Sequence, residues 1–382
     1  MSNSRRNSTR AAAPARSAEL ERLRQAIDAV DRAILEKLNE RGRIVLQVGE
    51  LKRASGEPVY DAARERDLVA RLVAANPGPF PGAGIGPVFR EIISATRSLE
   101  QRLRVAFLGP EGTYSHLAVR EQFGEQAAIV GVPSIRDIFA AVERGTADFG
   151  VVPVENSTEG TVTASVDALV VSQVAICGEI LLPVSHFLLS RTGRREDIGR
   201  VASHPQPLAQ CRQWLEQNLP SVERVETPST AAAAQLAAGD PAVAAIASSI
   251  AGETYGLEVV EPCIEDRRDN TTRFLVIGAT SPPPSGNDLT SAVFSVRKDE
   301  AGALHRLLEP FAEHGVNLTA IQSRPMKDRV WEYLFFVDLE GHRDEERVAR
   351  ALADASRRAY WSKVLGSFPR AAAPVRKRAG TS

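Results

Sequence analysis

Three patterns of apolar and polar positions follow one another along the chain. From Glu19 to about Gln101 the apolar residues recur every three or four positions. Leu20, Leu23, Ile27, Val30 and Ile34 open the series, and Leu38, Val45 and Val48 continue it. No proline falls between Ala15 and Pro58, and only Gly42 and Gly49 precede Gly56, so the pattern predicts one helix of about 35 residues. A rod of that length cannot bury its own stripe and needs a partner helix or subunit. "ASGEP" (54–58) breaks it, "DAARERDLVARLVAAN" (61–76) restarts a second helix, and "PGPFPGAGIGP" (77–87) reads as a loop before a third, "VFREIISATRSLEQ" (88–101).

From Leu103 short β-rich runs alternate with helices. "RVAFLG", "FGVVPVEN" and "AVAAIAS" read as strands, while "TYSHLAVREQF" and "IRDIFAAVERG" read as helices, which predicts an α/β domain. The proline-rich "TSPPPSGND" (280–288) is a linker. Beyond it, "TSAVFSVR", "GALHRLLEPFAEHG", "VNLTAIQSRPM", "VWEYLFFVDLEG", "DEERVARALADASRRA" and "VLGSFP" give the β-α-β-β-α-β order of a ferredoxin-like unit. No internal repeat is visible. The expected organisation is a disordered tail over 1–17, a helical domain over 18–102, an α/β domain over 103–280, a linker over 281–288, an α+β domain over 289–369 and a second disordered tail over 370–382.

Composition narrows the classes. The chain has 382 residues, 43% hydrophobic and 25% charged, with a formal net charge of -1. That balance belongs to a globular multidomain protein and gives no whole-chain field toward nucleic acid or a lipid surface. No apolar run reaches the roughly 18 residues of a membrane span. Cys177, Cys211 and Cys263 are scattered and the six histidines lack ligand spacing, so neither a disulfide framework nor a metal site is expected. A cytoplasmic setting follows as an expectation.

The candidate chemistry is polar, with no metal ligand cluster or strong nucleophile. On the long helix Arg41, Val45, Val48 and Lys52 share a face, the two cations about 16 Å apart along the axis. Arg24 lies about 100° round from Arg41, so only a second copy of the helix would bring it to the same small ligand. The region Glu19–Gln101 resembles the all-helical chorismate mutase family, through "LRQAID", "ERGRIVLQVGELK" and "VYDAARERDLVARL". The resemblance implies an intertwined dimer with sites shared between chains. It places substrate cations on Arg24 (from the neighbouring subunit), Arg41, Lys52 and Arg64, with Asp61, Glu65 and Thr96 at the ring hydroxyl. That rearrangement needs only a clamp on a folded dicarboxylate and a donor to the ether oxygen. Glu100 stands at the donor position, where Gln is commoner, and a carboxyl group donates there only when protonated.

In the middle region "GPEGT" (109–113) joins a strand to a helix start. It is an anion cradle, but neither a dinucleotide fingerprint nor a phosphate loop. Together with "VVPVENSTEG" (151–160), "SHPQPLAQC" (203–211) and "DNTTRF" (269–274), it resembles the prephenate dehydratases over about 103–278. The implied fold is two-lobed, like periplasmic binding proteins, with substrate between the lobes. The implied roles are Thr272 as donor to the leaving hydroxyl, Arg273 on a carboxylate, Asn156, Ser203 and Gln210 as orienting groups, and Thr113 lining the cleft. Glu155 or Glu159 is the alternative proton donor. His116 and His204 read as structural. The reaction expels carbon dioxide and hydroxide together, and aromatisation drives it, so no cofactor is required.

The last region resembles an ACT domain. "GALHRLL" (Gly302, Ala303, Leu304) and "QSRP" (Gln322, Ser323, Arg324), with Asn317 and Leu318, match the stretches that bind phenylalanine, although Gln322 stands where Glu is commoner. The combined expectation is a bifunctional enzyme of phenylalanine synthesis, acting on chorismate and prephenate, restrained by phenylalanine and at least dimeric. It would have no nucleic-acid, membrane or metal partner. Two rivals are a dehydratase whose helices only dimerise, and a two-lobed sensor without catalysis.

Overall fold

The computed structural model describes residues 8–55, 60–296, 300–325 and 333–371. The chain divides into two units, Met1–Tyr60 with Gly78–Arg102, and Asp61–Pro77 with Leu103–Ser382. In the first unit α1 (Ser8–Ser55) is a single helix of 48 residues. It starts ahead of Glu19, so residues 8–17 are helical and not the expected tail. Alanine, the strongest helix former, supplies four of those ten residues, and Pro14 falls among them. Residues 1–7 of the expected tail lie outside the described residues. The α1 stripe is half exposed in the single chain: Leu23 is 49% and Ile27 59% accessible.

The second helix, α2 (Ala62–Ala75), belongs to the second unit and is capped by Asp61, whose carboxylate accepts from the Arg64 N–H at 3.0 Å. The third, α3 (Gly82–Arg97), returns to the first unit and includes Gly82–Pro87, which the sequence read as loop. Buried Ile85 anchors that first part, and its packing outweighs the weak propensity of glycine and proline.

In the second unit the chain runs β1 (Arg104–Leu108), α4 (Tyr114–Phe123), β2 (Ala128–Val132), α5 (Ile135–Glu143), β3 (Phe149–Asn156), β4 (Gly160–Thr161), α6 (Thr163–Val171) and β5 (Ala175–Pro183). It crosses into β6 (Phe187–Ser190), β7 (Arg200–Ser203), α7 (Pro205–Gln210), α8 (Arg212–Asn218), β8 (Glu223–Glu226), α9 (Thr230–Gly239), β9 (Val243–Ala247), α10 (Ser249–Tyr255) and β10 (Glu258–Glu261). It then returns as β11 (Thr271–Gly278). Two sheets result, ordered β2-β1-β3-β11-β5 with β4 on β3, and β10-β6-β9-β7-β8. They are two lobes joined by two crossings, 184–186 and 262–270. Thr113, Ser134 and Ser229 cap α4, α5 and α9 through their hydroxyls, as helix starts demand.

The ACT-like portion is β12 (Asp288–Val296), α11 (Ala303–Glu313), β13 (Leu318–Pro325), β14 (Tyr333–Glu340), α12 (Glu346–Arg358) and β15 (Trp361–Pro369), in the sheet order β13-β14-β12-β15. Its helices cover one face, packing Leu307, Phe311, Val348 and Leu352 on Phe294 and Val337. The other face joins the first lobe, with Leu289, Val293, Leu365 and Phe368 sharing a core with Ile176, Leu275 and Ile277. Central β12 is therefore buried on both faces, which its run of apolar and small residues already implies.

The tightest point of that junction is Gly366, where an added Cβ would lie 2.4 Å from the Ile176 carbonyl oxygen. Gly366→Ala has to push β15 off β5 and is expected to destabilise the second unit by about 1–3 kcal/mol. Urea unfolding of the parent and variant chains measures it; equal midpoints would show that the junction yields freely.

Candidate functional site

The β3–β11 pairing sets the polar group expected in the two-lobed domain. Pro153 cannot donate to a ladder, and the register slips there: Arg273 faces Glu155, yet Phe274 faces Pro153, so Val154 is the extra residue of a bulge. Past the bulge Asn156 lies directly opposite Thr272. Cross-strand partners share a face, and the Asn156 Nδ2 donates to the Thr272 Oγ1 at 2.8 Å.

The orientation of Asn156 is fixed from behind. Its Oδ1 accepts the backbone N–H groups of Thr158 and Glu159 at 2.9 and 3.1 Å, an Asx turn built by "NSTE". The Nδ2 end therefore faces Thr272 and the Asn270 Oδ1, also at 2.8 Å. Since Thr272 accepts from Asn156, its own hydroxyl proton is left to donate. Gln210 joins through Asn270, whose Nδ2 donates to the Gln210 Oε1 at 3.1 Å. The structure thus brings Asn156, Thr272 and Gln210 into one network. Asn270, inside "DNTTRF", is a member that the sequence does not single out, since only the fold sets its amide between those of Asn156 and Gln210.

Two expected members are placed elsewhere. The Ser203 hydroxyl is buried and donates to the Ile246 carbonyl at 2.6 Å, a strand-end contact within the second lobe. Arg273 projects on the side of β11 opposite to Thr272, as alternation dictates. It is paired with Glu179 at 2.9 Å and Asp338 at 2.7 Å, and its side chain is 20% exposed. Burial works to lower its pKa, but the Asp338 and Glu179 carboxylates outweigh burial and raise it. This arginine neutralises the protein's own carboxylates, one on β5 and one on β14, and is not presented to a substrate.

Thr113 caps α4, accepting from the His116 N–H at 3.3 Å and donating to the Pro110 carbonyl at 3.0 Å. His116 is buried, its Nδ1 accepts from Gly112 at 3.1 Å, and burial followed by the Arg120 charge lowers its pKa to about 4. His204 caps α7. Both histidines hold loops. Glu155 and Glu159 are exposed at the loop. Burial pushes the Cys177 thiol up to about 12 and raises Cys211 further, so neither is a ready nucleophile.

In the first unit Arg41 donates to the Thr96 Oγ1, and Thr96 donates to the Ile92 carbonyl at 2.7 Å. Two residues predicted for one site are thereby joined. Glu100 reaches α1 at Gly49, where a Cβ would meet its carboxyl carbon at 2.9 Å. Its buried Oε2 has no hydrogen-bond partner among the described residues. Lys52 is half-buried on α1, and Arg24 is exposed with Glu21 at 3.7 Å. Asp61, Arg64 and Glu65 stand at the start of α2 in the second unit, with Asp61 occupied as the cap.

In the last module Gly302 takes a left-handed φ of +74° at the α11 start, with Ala303 and Leu304 following, and Asn317 precedes Leu318 at the start of β13. Gln322 and Arg324 share a face of β13 and reach the first lobe. The Gln322 Nε2 donates to the Thr161 Oγ1 at 2.5 Å, and Arg324 pairs with Asp167 at 2.8 Å. Ser323, between them, takes the opposite face. Gln322 and Arg324, expected on phenylalanine, are thus engaged by the segment that follows the "ENSTEG" loop.

A helical unit with a cationic face, a two-lobed α/β unit whose cleft is dressed with amides and hydroxyls, and a sensor-like sheet define a multidomain enzyme of small-acid chemistry. Family profiles match accordingly: chorismate mutase type II over residues 23–101, prephenate dehydratase over 105–282 and ACT domain over 290–357. The chain is 46% identical over 357 residues to the bifunctional chorismate mutase/prephenate dehydratase of Aquifex aeolicus, covering 92% of this chain and 98% of that one. It is 44% identical over 351 residues to that of Neisseria gonorrhoeae, covering 91% and 96%. Among solved structures, the prephenate dehydratase of Arthrobacter aurescens in complex with L-Phe matches with a TM-score of 0.65 at 36% identity, over 70% of this chain and 90% of that one. The quorum quenching acylase GqqA matches at the same TM-score of 0.65 and 32% identity, over 70% and 98%. The chain belongs to the bifunctional chorismate mutase/prephenate dehydratase family and is an enzyme of phenylalanine biosynthesis with both activities.

The buried Arg273 pairs yield a discriminating expectation. Arg273→Ala leaves two carboxylates uncompensated and is expected to cost about 3–5 kcal/mol of second-unit stability. Denaturant unfolding reads this. Loss of prephenate affinity with unchanged stability would return the arginine to substrate.

Proposed function

We propose that the chain rearranges chorismate to prephenate on its helical unit and converts prephenate to phenylpyruvate in the two-lobed domain, with phenylalanine restraining turnover. The observation that carries the dehydratase reading is the Asn156–Thr272 hydrogen bond at 2.8 Å. With Asn156 locked as donor, the Thr272 hydroxyl points its proton at the departing hydroxide while the ring carboxylate leaves as carbon dioxide. Threonine is a weak acid, so this is a hydrogen bond that strengthens as charge develops on the leaving oxygen. Gln210 and Asn156 orient the substrate, and Thr113 lines the approach.

In the mutase step Arg41, Lys52 and Arg64, with Arg24 from a second subunit, hold the two carboxylates in the folded conformer. Thr96, Asp61 and Glu65 meet the ring hydroxyl side, and Glu100 donates to the ether oxygen. A homodimer is supported by the half-exposed stripe of α1 and by β13, an edge strand on which Ile321 is 50% exposed. Phenylalanine would bind at Gly302–Leu304, Asn317–Leu318 and Gln322–Arg324, the last two side chains exchanging their first-lobe partners for the ligand. No described helix is long and apolar enough to cross a membrane, and the proposed setting is the cytoplasm.

The direct test follows chorismate to phenylpyruvate by absorbance, with and without phenylalanine. The parent chain is expected to form phenylpyruvate and to slow saturably with phenylalanine. Thr272→Ala is expected to stop at prephenate, its dehydratase kcat lower by on the order of 10²–10³. A Thr272→Ala rate within a few-fold of parent would overturn the donor assignment, and absence of phenylpyruvate from the parent would overturn the dehydratase reading.

The mutase step carries its own signature. A carboxylate cannot donate a hydrogen bond and an amide can, so Glu100→Gln, which places a permanent donor at that position, is expected to raise mutase kcat/KM at neutral pH. An unchanged or lower rate would remove Glu100 from the ether oxygen.

A further inference from the structure

The amide chain at the dehydratase site continues past Gln210 into both inter-lobe crossings. His186, in the crossing between β5 and β6, brings its Nε2 to 2.7 Å from the Gln210 Oε1. Its Nδ1 lies 2.7 Å from the Tyr114 hydroxyl, at the first residue of α4 in the first lobe. Asn270 stands in the second crossing. Tyr114, His186, Gln210, Asn270, Asn156 and Thr272 therefore form one hydrogen-bonded path from the first lobe through both crossings and back.

The path has one consistent direction. The Asx turn fixes Asn156 as donor to the Asn270 Oδ1, so the Asn270 Nδ2 faces Gln210 and must meet an acceptor. The Gln210 Oε1 is that acceptor, and an oxygen facing His186 requires the proton on Nε2. His186 is buried, and burial lowers its pKa against the opposing effects of Gln210 and Glu265, so the ring is neutral and its Nδ1 accepts. Tyr114 faces that nitrogen as a neutral phenol, its pKa raised first by burial and then by Cys211 and Glu265, and its single proton is shared between the His186 Nδ1 and the Ser185 carbonyl at 2.8 Å. The Gln210 Oε1 thus takes two hydrogen bonds, while its buried Nε2 has no partner among the described residues. A buried amide with two unused N–H groups costs free energy unless an acceptor arrives.

We propose that His186, Tyr114 and Asn270 are positioning residues of the dehydratase, holding the Gln210 amide so that its Nε2 hydrogens are presented to a carboxylate of the substrate. The inference rests on the dehydratase reading above and concerns how that site keeps its polarity. With the amide reversed, an oxygen would meet the carboxylate, and attraction would become repulsion. His186 touches no reacting atom; it acts through Gln210.

The test compares His186→Leu, His186→Gln and Asn270→Asp in the full-length chain, assayed on prephenate, with chorismate mutase turnover as the folding control. His186→Leu is expected to lower dehydratase kcat/KM by about thirtyfold, mainly through KM, because it removes one of two donors to a buried oxygen. His186→Gln keeps an N–H near the Nε2 position and is expected to stay within about fivefold of parent. Asn270→Asp places an oxygen against the Gln210 Oε1 and is expected to fall at least as far as His186→Leu. Independently, long-range ¹H–¹⁵N spectra of the histidine-labelled parent are expected to show His186 as the neutral Nε2–H tautomer, which keeps the test open if the leucine variant fails to fold. A His186→Leu rate within threefold of parent, equal losses in the leucine and glutamine variants, or an Nδ1–H tautomer would each overturn the inference while leaving the dehydratase reading intact. A parent chain inactive on prephenate would overturn both.

Discussion

The register slip beside Pro153, with Val154 as the extra residue, is the constraint on which the proposed dehydratase site depends. Alternation along a strand is strict, so a single extra residue decides which side chains share a face. Without the bulge, the residue opposite Thr272 would be Glu155, a carboxylate beside the hydroxyl proposed to donate toward a dianion. With it, the neighbour is Asn156, a neutral amide whose polarity the following turn fixes. The proline that makes a regular ladder impossible is thus what brings an amide to the hydroxyl, and "PVENSTEG" is one device: proline to slip, Asn to donate, Ser-Thr-Glu backbone to hold it.

Electrostatics follow the same economy of charge. Around Thr272 the groups are amide, hydroxyl and neutral imidazole, and the one cation in the motif, Arg273, is turned away and satisfied by Glu179 and Asp338. Neutral dipoles lose less on burial than ions do. They also keep a fixed direction that a leaving anion exploits without reorganisation. The helical unit works differently, with cations set along an apolar stripe, because its reaction holds two carboxylates from beginning to end and has no leaving group.

Much of this was legible in the chain. Periodicity gave the three helices, and the β-α-β-β-α-β order emerges in the structure as a four-stranded sheet with two helices. The motif stretches did converge, since Asn156, Thr272 and Gln210 meet although distant in sequence. What escaped was everything that depends on facing. Arg273 sits next to Thr272, and adjacency in a strand means opposite sides, but only a second sheet supplying Asp338 shows what the far side meets. Ser203 ends a strand in the second lobe, where the Ile246 carbonyl claims its hydroxyl. His186 belongs to no recognisable stretch, because a residue of an inter-lobe crossing is defined by what lies beside it, and Tyr114 sits in "TYSHLAVREQF", which reads only as a helix. Gly82–Pro87 reads as loop by local propensity and is helical because Ile85 is buried.

Contacts between the last sheet and the first lobe give the proposed restraint a short physical route. Lys363 on β15 donates to the carbonyls of Leu169 and Val170 at 2.8 and 3.1 Å, closing the C-terminal end of α6 where cations are favoured. Arg324 on β13 holds Asp167 of the same helix, and Gln322 holds Thr161 of β4. Strand β4 pairs with β3 through Thr161–Glu155 and Gly160–Asn156, so the residue that Gln322 holds lies opposite Glu155, the neighbour of Asn156 on β3. Any ligand that recruits Gln322 and Arg324 must take them from Thr161 and Asp167, and the loop between Asn156 and Gly160 loses a support in the process. The proposed linkage would be reciprocal: if the ligand weakens substrate binding, substrate weakens the ligand by the same factor. Couplings of this kind are commonly about 1–3 kcal/mol, a range that one or two exchanged hydrogen bonds supply. The proposed restraint needs no long pathway, because β13 and the β3–β4 hairpin are already hydrogen-bonded through Gln322 and Thr161.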